Sequence, residues 1–444
     1  MPLLSGKQQV GFESRPNTKW SRKLWHNMLN YSELNPICLN VAVNLEFIPR
    51  ENYLRALRSV REKPLIKVIT GVRRCGKTTL MKRFIDELKT SGVQDNQIVQ
   101  VNFEDYDAIP LRAPNALHAF LMSKLQPGKT VFFFLDEIQT VPDFESVIDR
   151  LAICEGVDIY LAGSNGTKLC SGLTTWLKSR YVEIKILPLS FSEFVEGGYS
   201  TGTLSDQYCR YLEGGALPYA LALPNAEAVG IYFEGTFNTI LLKDVLQRMK
   251  LSDSSLLLSI CRFLCEHIGS IVTPKRIADE LTAQGRKCDS KTVDKYLTAL
   301  VDSFIFYEAR RFDVLAKVEL ARLARYYLVD VGLRPTLLGH RAMDAGHTLQ
   351  NVVYLELLRR GYEVYVGRLG DAEVDFVVKS ADGFQYIQVA ETARSTETIE
   401  RKVKPLQKIQ DHYPTLLLTL DEGLTKEKDG IVHMNALEWL LKIS

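Results

Sequence analysis

Between Ile48 and Pro188 the chain alternates short, nearly unbroken apolar runs with stretches in which apolar residues recur every three or four positions. The runs are IKVIT (66–70), IVQVNF (98–103), VFFFLDE (131–137), VDIYLAG (157–163) and VEIKILPL (182–189). Runs without polar alternation predict strands buried on both faces, and the helical spacing between them predicts the crossovers of a parallel sheet. After Phe191 the pattern turns helical: SFSEFVEG, the turn GGALPYAL, then a helix through IYFEGTFNTILLKDVLQRMK.

From about Ser254 the segments LLLSICRFLCEHIG, TPKRIADELTAQG and DSKTVDKYLTALVDSF predict three helices, followed by a strand in FIFYEARRF. Three short helices and a hairpin outline a winged helix. The last segment reads as helix TLQNVVYLELLRRG, strands YEVYVGR, EVDFVVK and FQYIQVAE, a charged helix STETIERKVKPLQKIQ, and strand PTLLLTL. No internal repeat or low-complexity tract interrupts this order.

With 444 residues, 46% hydrophobic and 24% charged, the chain has room for two to four domains. The divisions expected are an extension over 1–47, disordered or an artefact of start-site choice, a nucleotide-binding core over 48–200, a helical lid or linker over 201–253, a winged-helix-like domain over 254–335 and a C-terminal α/β domain over 336–444. The 55 basic and 53 acidic residues nearly cancel, which excludes recruitment to nucleic acid or an anionic membrane by overall charge. Eight cysteines lack a C-x-x-C pair, so they are expected to be reduced and buried. No apolar run reaches the ~18 residues of a membrane span, and the first residues lack a signal-peptide core. The expectation is a cytoplasmic protein with no membrane partner.

Gly71-Val72-Arg73-Arg74-Cys75-Gly76-Lys77-Thr78 fits G-x-x-x-x-G-K-[ST]. The glycines let successive backbone N–H groups turn inward, and the following helix adds its positive end, which together make an anion cradle. The motif follows the apolar run IKVIT and opens the amphipathic TTLMKRFIDELK, the setting it requires. The expected nucleotide contacts are therefore residues 71–78 with Thr79 and Ser164; Lys77 reaches the phosphates of ATP and the Thr78 hydroxyl holds Mg²⁺. VFFFLDE delivers Asp136 and Glu137 at the carboxyl end of a buried strand: Asp136 for Mg²⁺, Glu137 to orient and deprotonate water. Otherwise the pair is a solvated acidic turn. Ser164 and Asn165, ending the next strand, touch the γ-phosphate or the lytic water, or merely cap a loop. Arg180 is a candidate arginine finger, in cis or from a neighbouring subunit. Arg73 and Arg74 contact phosphate or solvent.

On these motifs the chain resembles bacterial and archaeal ATPases of the AAA superfamily that carry a C-terminal domain of uncharacterised function. The stretches that carry the resemblance, in order, are FIPRENYL, IKVITGVRRCGKTTLM, VNFED, FFFLDEIQ, YLAGSN, RYVEIKILPLSFSEF, GGALPYAL, YYLVDVGLR, NVVYLELLRRGYEVYVG, EVDFVV and YIQVAE. The resemblance implies an α/β fold with a P-loop NTPase parallel sheet, a helical and winged-helix middle, and a C-terminal fold similar to restriction endonucleases. It implies ATP binding and hydrolysis, and no known substrate.

Endonucleases of that fold gather a helix Glu, a strand Asp and an E-x-K on the next strand to hold Mg²⁺. Asp375 takes the strand position here, but Gln388 and Ala390 stand where Glu and Lys are expected, and Gln350 occupies the usually acidic helix position. One carboxylate of three is too little charge for a catalytic Mg²⁺. Cleavage would have to use Glu356 or Glu391. The helix predicted to read DNA carries Lys291 and Lys295 against Asp289, Asp294 and Asp302, a poor balance for phosphate contact, and the wing adds Arg310 and Arg311. A lid or protein contact is the favoured reading of that element. RKVKPLQKIQ (401–410) is basic yet fits a solvated helix face.

The sequence thus predicts Mg-dependent ATP hydrolysis driving a conformational switch on an unidentified protein partner. The alternatives are a nucleic-acid- or protein-binding module with structural nucleotide, and an ATP-gated nuclease. Nucleic-acid contact through the winged helix or C-terminal domain, and a homo-oligomer, stay open.

Overall fold

The structure, a computed structural model, describes residues 48–164, 169, 180–247, 251, 253–339, 344–422 and 426–442. The apolar runs form the expected strands: β1 Ile66–Thr70, β2 Ile98–Asn102, β3 Val131–Asp136, β4 Val157–Gly163 and β5 Tyr181–Lys185. They pair in parallel in the order β2-β3-β4-β1-β5. Every residue of β1 and β3 is buried, as two covered faces require.

Alternation survives inside β3 as a choice between two apolar layers. Phe132 and Phe134 enter one layer, in which helix α2 (Lys77–Thr90) brings Phe84 beside them. There the Phe134 and Tyr160 rings stack at 4.6 Å, and Phe84 stands 5.4 Å from Tyr160. Phe133 and Leu135 enter the other layer, with Leu117 and Leu121 of α3 (Pro114–Ser123) and Ile148 and Leu151 of α4 (Phe144–Ala152). Helix α1 (Glu51–Val60) precedes β1 and packs on the first layer.

The strand order positions the site. β4 lies between β1 and β3, so the loop after β1, the end of β3 and the end of β4 share one carboxyl edge.

The predicted helical segment follows as α5 Phe191–Glu196, α6 Leu204–Gly214 and α7 Ala226–Thr239. α7 continues as a π-helix, Ile240–Gln247. Three helices, α8 Ser254–Glu266, α9 Pro274–Ala283 and α10 Ser290–Asp302, precede the hairpin of β7 Phe306–Asp313 and β8 Val318–Leu328, with the short β6 Ile271–Val272 pairing onto β8. The hairpin is not a free wing. β7 pairs in parallel with β9 (Glu363–Leu369), Phe312 opposite Gly367, so the hairpin joins the C-terminal strands β10 Ala372–Ser380, β11 Gly383–Val389, β12 Thr415–Thr419, β13 Lys426–Lys428 and β14 Ile431–Asn435 in one nine-stranded sheet. That sheet crosses the boundary expected at 335/336.

Candidate functional site

Gly71 leaves β1 where a Cβ would stand 2.2 Å from the Ile186 carbonyl oxygen, so no larger residue fits. Gly76 turns the chain into α2 at φ 102°, a left-handed angle that glycine adopts without strain. Between them Val72 and Cys75 are buried, Arg73 is half-buried and Arg74 is exposed. Lys77 is buried and its ammonium folds back onto the Gly71 and Val72 carbonyls at 3.0 and 3.2 Å. The loop thus closes on a cation whose partners here are backbone oxygens.

The Thr78 hydroxyl donates to Asp136 Oδ2 at 2.5 Å. These residues come from α2 and from the end of β3, fifty-eight positions apart in sequence, and the strand order brings them together. Burial raises the Asp136 carboxyl above its ordinary value, while the Thr78 bond and the Lys77 charge work against that rise. Two hard oxygen ligands beside a buried lysine suit a Mg²⁺–phosphate pair.

Glu137 follows at φ 52°, a strained angle for a side-chain-bearing residue. Its Oε2 accepts from Ser164 Oγ at 3.2 Å and from the Gln139 amide. Ser164, fully buried, therefore lies against the candidate base rather than in solvent. Asn165 lies outside the described residues. Arg180 is not brought to this edge: it stands at the amino-terminal end of β5, exposed, with its carbonyl accepting from Ile66 N–H at the start of β1. The in-cis finger is corrected on that ground, since parallel strands place their two ends on opposite edges of the sheet.

A cleft of about 420 Å³ opens over Lys77, Thr78, Thr79, Asp136 and Glu137. Its lining also includes Ile48, Leu189, Pro218 and Tyr219, apolar and aromatic side chains of the kind a nucleobase packs on. Two buried residues hold this lining and the loop. Arg50 donates to the Cys75 and Leu187 carbonyls at 2.9 and 2.7 Å and pairs with Glu193 at 3.1 Å. Asp330, just after β8, accepts from the Ala216 and Leu217 amides at 2.8 and 2.9 Å, and so fixes the turn that leads into Pro218. Arg50 lies in FIPRENYL and Asp330 in YYLVDVGLR, stretches that carry the resemblance without giving either residue a role. GGALPYAL and VDVGLR were legible as stretches, but their contact spans more than a hundred residues.

Arg73, half-buried, has its guanidinium engaged by acids rather than left to solvent alone. Its guanidinium bonds Glu104 at 2.9 Å through two nitrogens and Asp244 at 3.0 and 3.2 Å, and Ser164 Oγ also meets Asp244 at 3.4 Å. Asp244 and Glu104 are site-edge acids that spacing did not single out. Asp244 comes from the π-helix, where i,i+4 periodicity gives no guide. The described cysteines are all free; Cys75, Cys261 and Cys265 are buried.

At the C-terminal sheet, a polar cleft of about 950 Å³ gathers Gln350, Asp375, Gln388, Ala390 and Glu391. Both Asp375 oxygens are taken: Oδ1 by Arg325 at 3.3 Å, Oδ2 by the Lys402 ammonium and the Val389 amide. Burial pushes its carboxyl up, yet Lys402 and Arg325 bring it below the usual range. Glu356 is corrected as a substitute ligand. It does not line the cleft and is held by Arg359 and Arg360 at 2.6 and 2.9 Å. Lys402 likewise leaves the solvated face expected for 401–410 and is buried. On the hairpin, Arg310 pairs with Glu308 and Glu319, and Arg311 with Glu373. Among the described residues no group of His, Cys, Asp and Glu could hold a metal by itself, and no helix is long and apolar enough to cross a membrane.

Residues 63–195 match a family model described as an AAA domain, and residues 205–344 one described as a domain of unknown function (DUF8612). An uncharacterized protein of Haemophilus influenzae is 34% identical over 400 residues, covering 89% of this chain and 99% of that protein. An uncharacterized protein of Methanocaldococcus jannaschii is 27% identical over 361 residues, covering 77% and 78%. Among solved structures, a Walker-type ATPase of Pyrococcus abyssi superposes with TM-score 0.47 at 15% identity, over 67% of this chain and 97% of that one. AMPPCP-bound DnaA of Aquifex aeolicus gives 0.29 at 18%, over 59% and 92%. Both scores fall below 0.5, so the fold stands on its own strand order.

Proposed function

We propose, from the premise that this chain belongs to the same family as the Haemophilus influenzae protein and carries an AAA-type P-loop ATPase domain, that it binds Mg-ATP after β1 and hydrolyses it to drive a conformational switch on a partner protein. The observation that carries this reading is the contact of Thr78 with Asp136 across β4. In P-loop enzymes these two positions hold the ion that neutralises phosphate charge.

On this reading residues 71–76 present backbone N–H groups to the phosphates, and Lys77 exchanges its loop carbonyls for phosphate oxygens. Thr78 and Asp136 would hold Mg²⁺, which supplies charge neutralisation when bound. Glu137 accepts the proton of the attacking water; Ser164 and Gln139 fix where its carboxylate points. Arg73, half-buried four residues before Lys77, is the cationic side chain at the phosphate end in cis. Arg180 is available only to the site of a neighbouring subunit, and Asn165 is proposed to touch the γ-phosphate or the water. Ile48, Pro218 and Tyr219 pack the base. Cleavage at Asp375 forms no part of the proposal, since two cations already occupy its oxygens.

Steady-state phosphate release tests it. Glu137→Gln should lower turnover by about 10²- to 10⁴-fold, the usual contribution of a general base, and leave ATP binding intact. An unchanged rate removes Glu137 from its role. ATP binding without any release by the unaltered protein would leave the binding-module alternative in its place. The Glu137→Gln protein held with ATP is also the bait for its partner.

A further inference from the structure

Asp244 sits on the π-helical turn that continues α7, buried, with both carboxylate oxygens engaged by residues of the nucleotide site. Oδ2 accepts from Arg73 Nε at 3.0 Å; Oδ1 accepts from Arg73 Nη2 at 3.2 Å and from Ser164 Oγ at 3.4 Å. Arg73 belongs to the loop that wraps the phosphates, and Ser164 ends the strand between β1 and β3. A guanidinium fork and a hydroxyl converging on two anionic oxygens is also how a phosphate group is held. The same corner already contains the acids Glu104, Asp136 and Glu137 against Arg73 and Lys77, so a further anion enters at a cost unless an acid gives way.

We propose that Asp244 holds the place of the terminal phosphate in the nucleotide-free protein: the γ-phosphate of ATP, but not ADP, displaces it from Arg73 and Ser164 and thereby moves the π-helical segment Ile240–Gln247. This rests on the nucleotide reading above and adds to it a device by which the site distinguishes triphosphate from diphosphate. π-helical turns are often found at functional sites, and the i→i+5 ladder of this one can revert to the i→i+4 ladder of the α7 it continues. In chain order the segment precedes α8 (Ser254–Glu266) and the hairpin of the nine-stranded sheet.

The test is the ratio of ATP to ADP affinity in the Asp244→Asn protein, measured by titration with Mg²⁺ present. The substitution keeps the size of the side chain and removes the competing charge. Loss of one charge-assisted competitor should tighten ATP roughly tenfold and leave ADP unchanged. Unchanged or weaker ATP binding, or equal tightening for ADP, overturns the proposal. Should Asp244→Asn fail to fold, hydrogen exchange of the unaltered chain decides. Amides of 240–247 should exchange faster with a non-hydrolysable triphosphate than with ADP, and equal exchange overturns it. A wild-type protein that ignores ATP altogether would instead defeat the nucleotide reading itself.

Discussion

Asp330→Ala should loosen the Pro218–Tyr219 turn that, on the proposed reading, packs the nucleobase, and spare the phosphate loop. The Asp330 carboxylate is buried and accepts from three backbone amides, Gly332 at 2.9 Å, Ala216 at 2.8 Å and Leu217 at 2.9 Å. Burial raises its pKa above the ordinary carboxylate value, and the three N–H groups offset only part of that rise. Alanine leaves three buried donors without acceptors, each at about 1–3 kcal/mol; relaxation and water entry favour the low end, so a loss of about 3–5 kcal/mol follows. Two of the three amides immediately precede Pro218, so the loosening falls on the Pro218–Tyr219 turn rather than on Lys77 or Thr78. Calorimetric titration with Mg-ATP and with Mg-tripolyphosphate separates the two. ATP affinity should fall while tripolyphosphate, which has no base, binds as before, and the thermal midpoint should drop. Asp330→Ala with an unaltered midpoint and unaltered ATP affinity would refute the reasoning.

Two further outcomes concern the C-terminal cleft. Because Asp375 is held below the ordinary carboxylate range, its ion pairs contribute stability that is complete above the unfolded value near pH 4 and lost as pH falls through the lower folded value; acid unfolding of Asp375→Asn should lack that loss, and an identical acid limb contradicts it. The unaltered protein should not nick supercoiled DNA with Mg²⁺; nicking that Asp375→Ala abolishes would show that Lys402 and Arg325 do not close the site.

What was legible in the sequence followed from local physics. β1 could be placed to the residue because IKVIT is a run of apolar β-branched residues broken only by Lys67 and Thr70, both of them buried, and Asp136 because a carboxylate ending such a strand has few other uses. The parts that were not legible depend on distant partners. In RKVK (401–404) the charges look alike, and only Asp375, twenty-seven residues away, selects Lys402 to turn inward, helped by the π-helical turn Ile399–Val403. Arg73 read equally as a phosphate or a solvent residue until Glu104 and Asp244 were seen against it. The strand Lys426–Lys428 is exposed and carries no apolar signal, so nothing in its composition announced it. Gly71 was expected for its backbone freedom, but the closer constraint is the Ile186 carbonyl that a side chain would strike.

On the proposed reading, one loop, one amine, one hydroxyl and two acids converge on ATP and its Mg²⁺. Calorimetry of the unaltered protein and of Lys77→Ala with ATP and Mg²⁺ tests it most directly. The unaltered chain should bind ATP at one site, and loss of the charged contacts of Lys77 should weaken binding roughly 100-fold. Equal ATP affinity in the two proteins, or no binding by either, would contradict it.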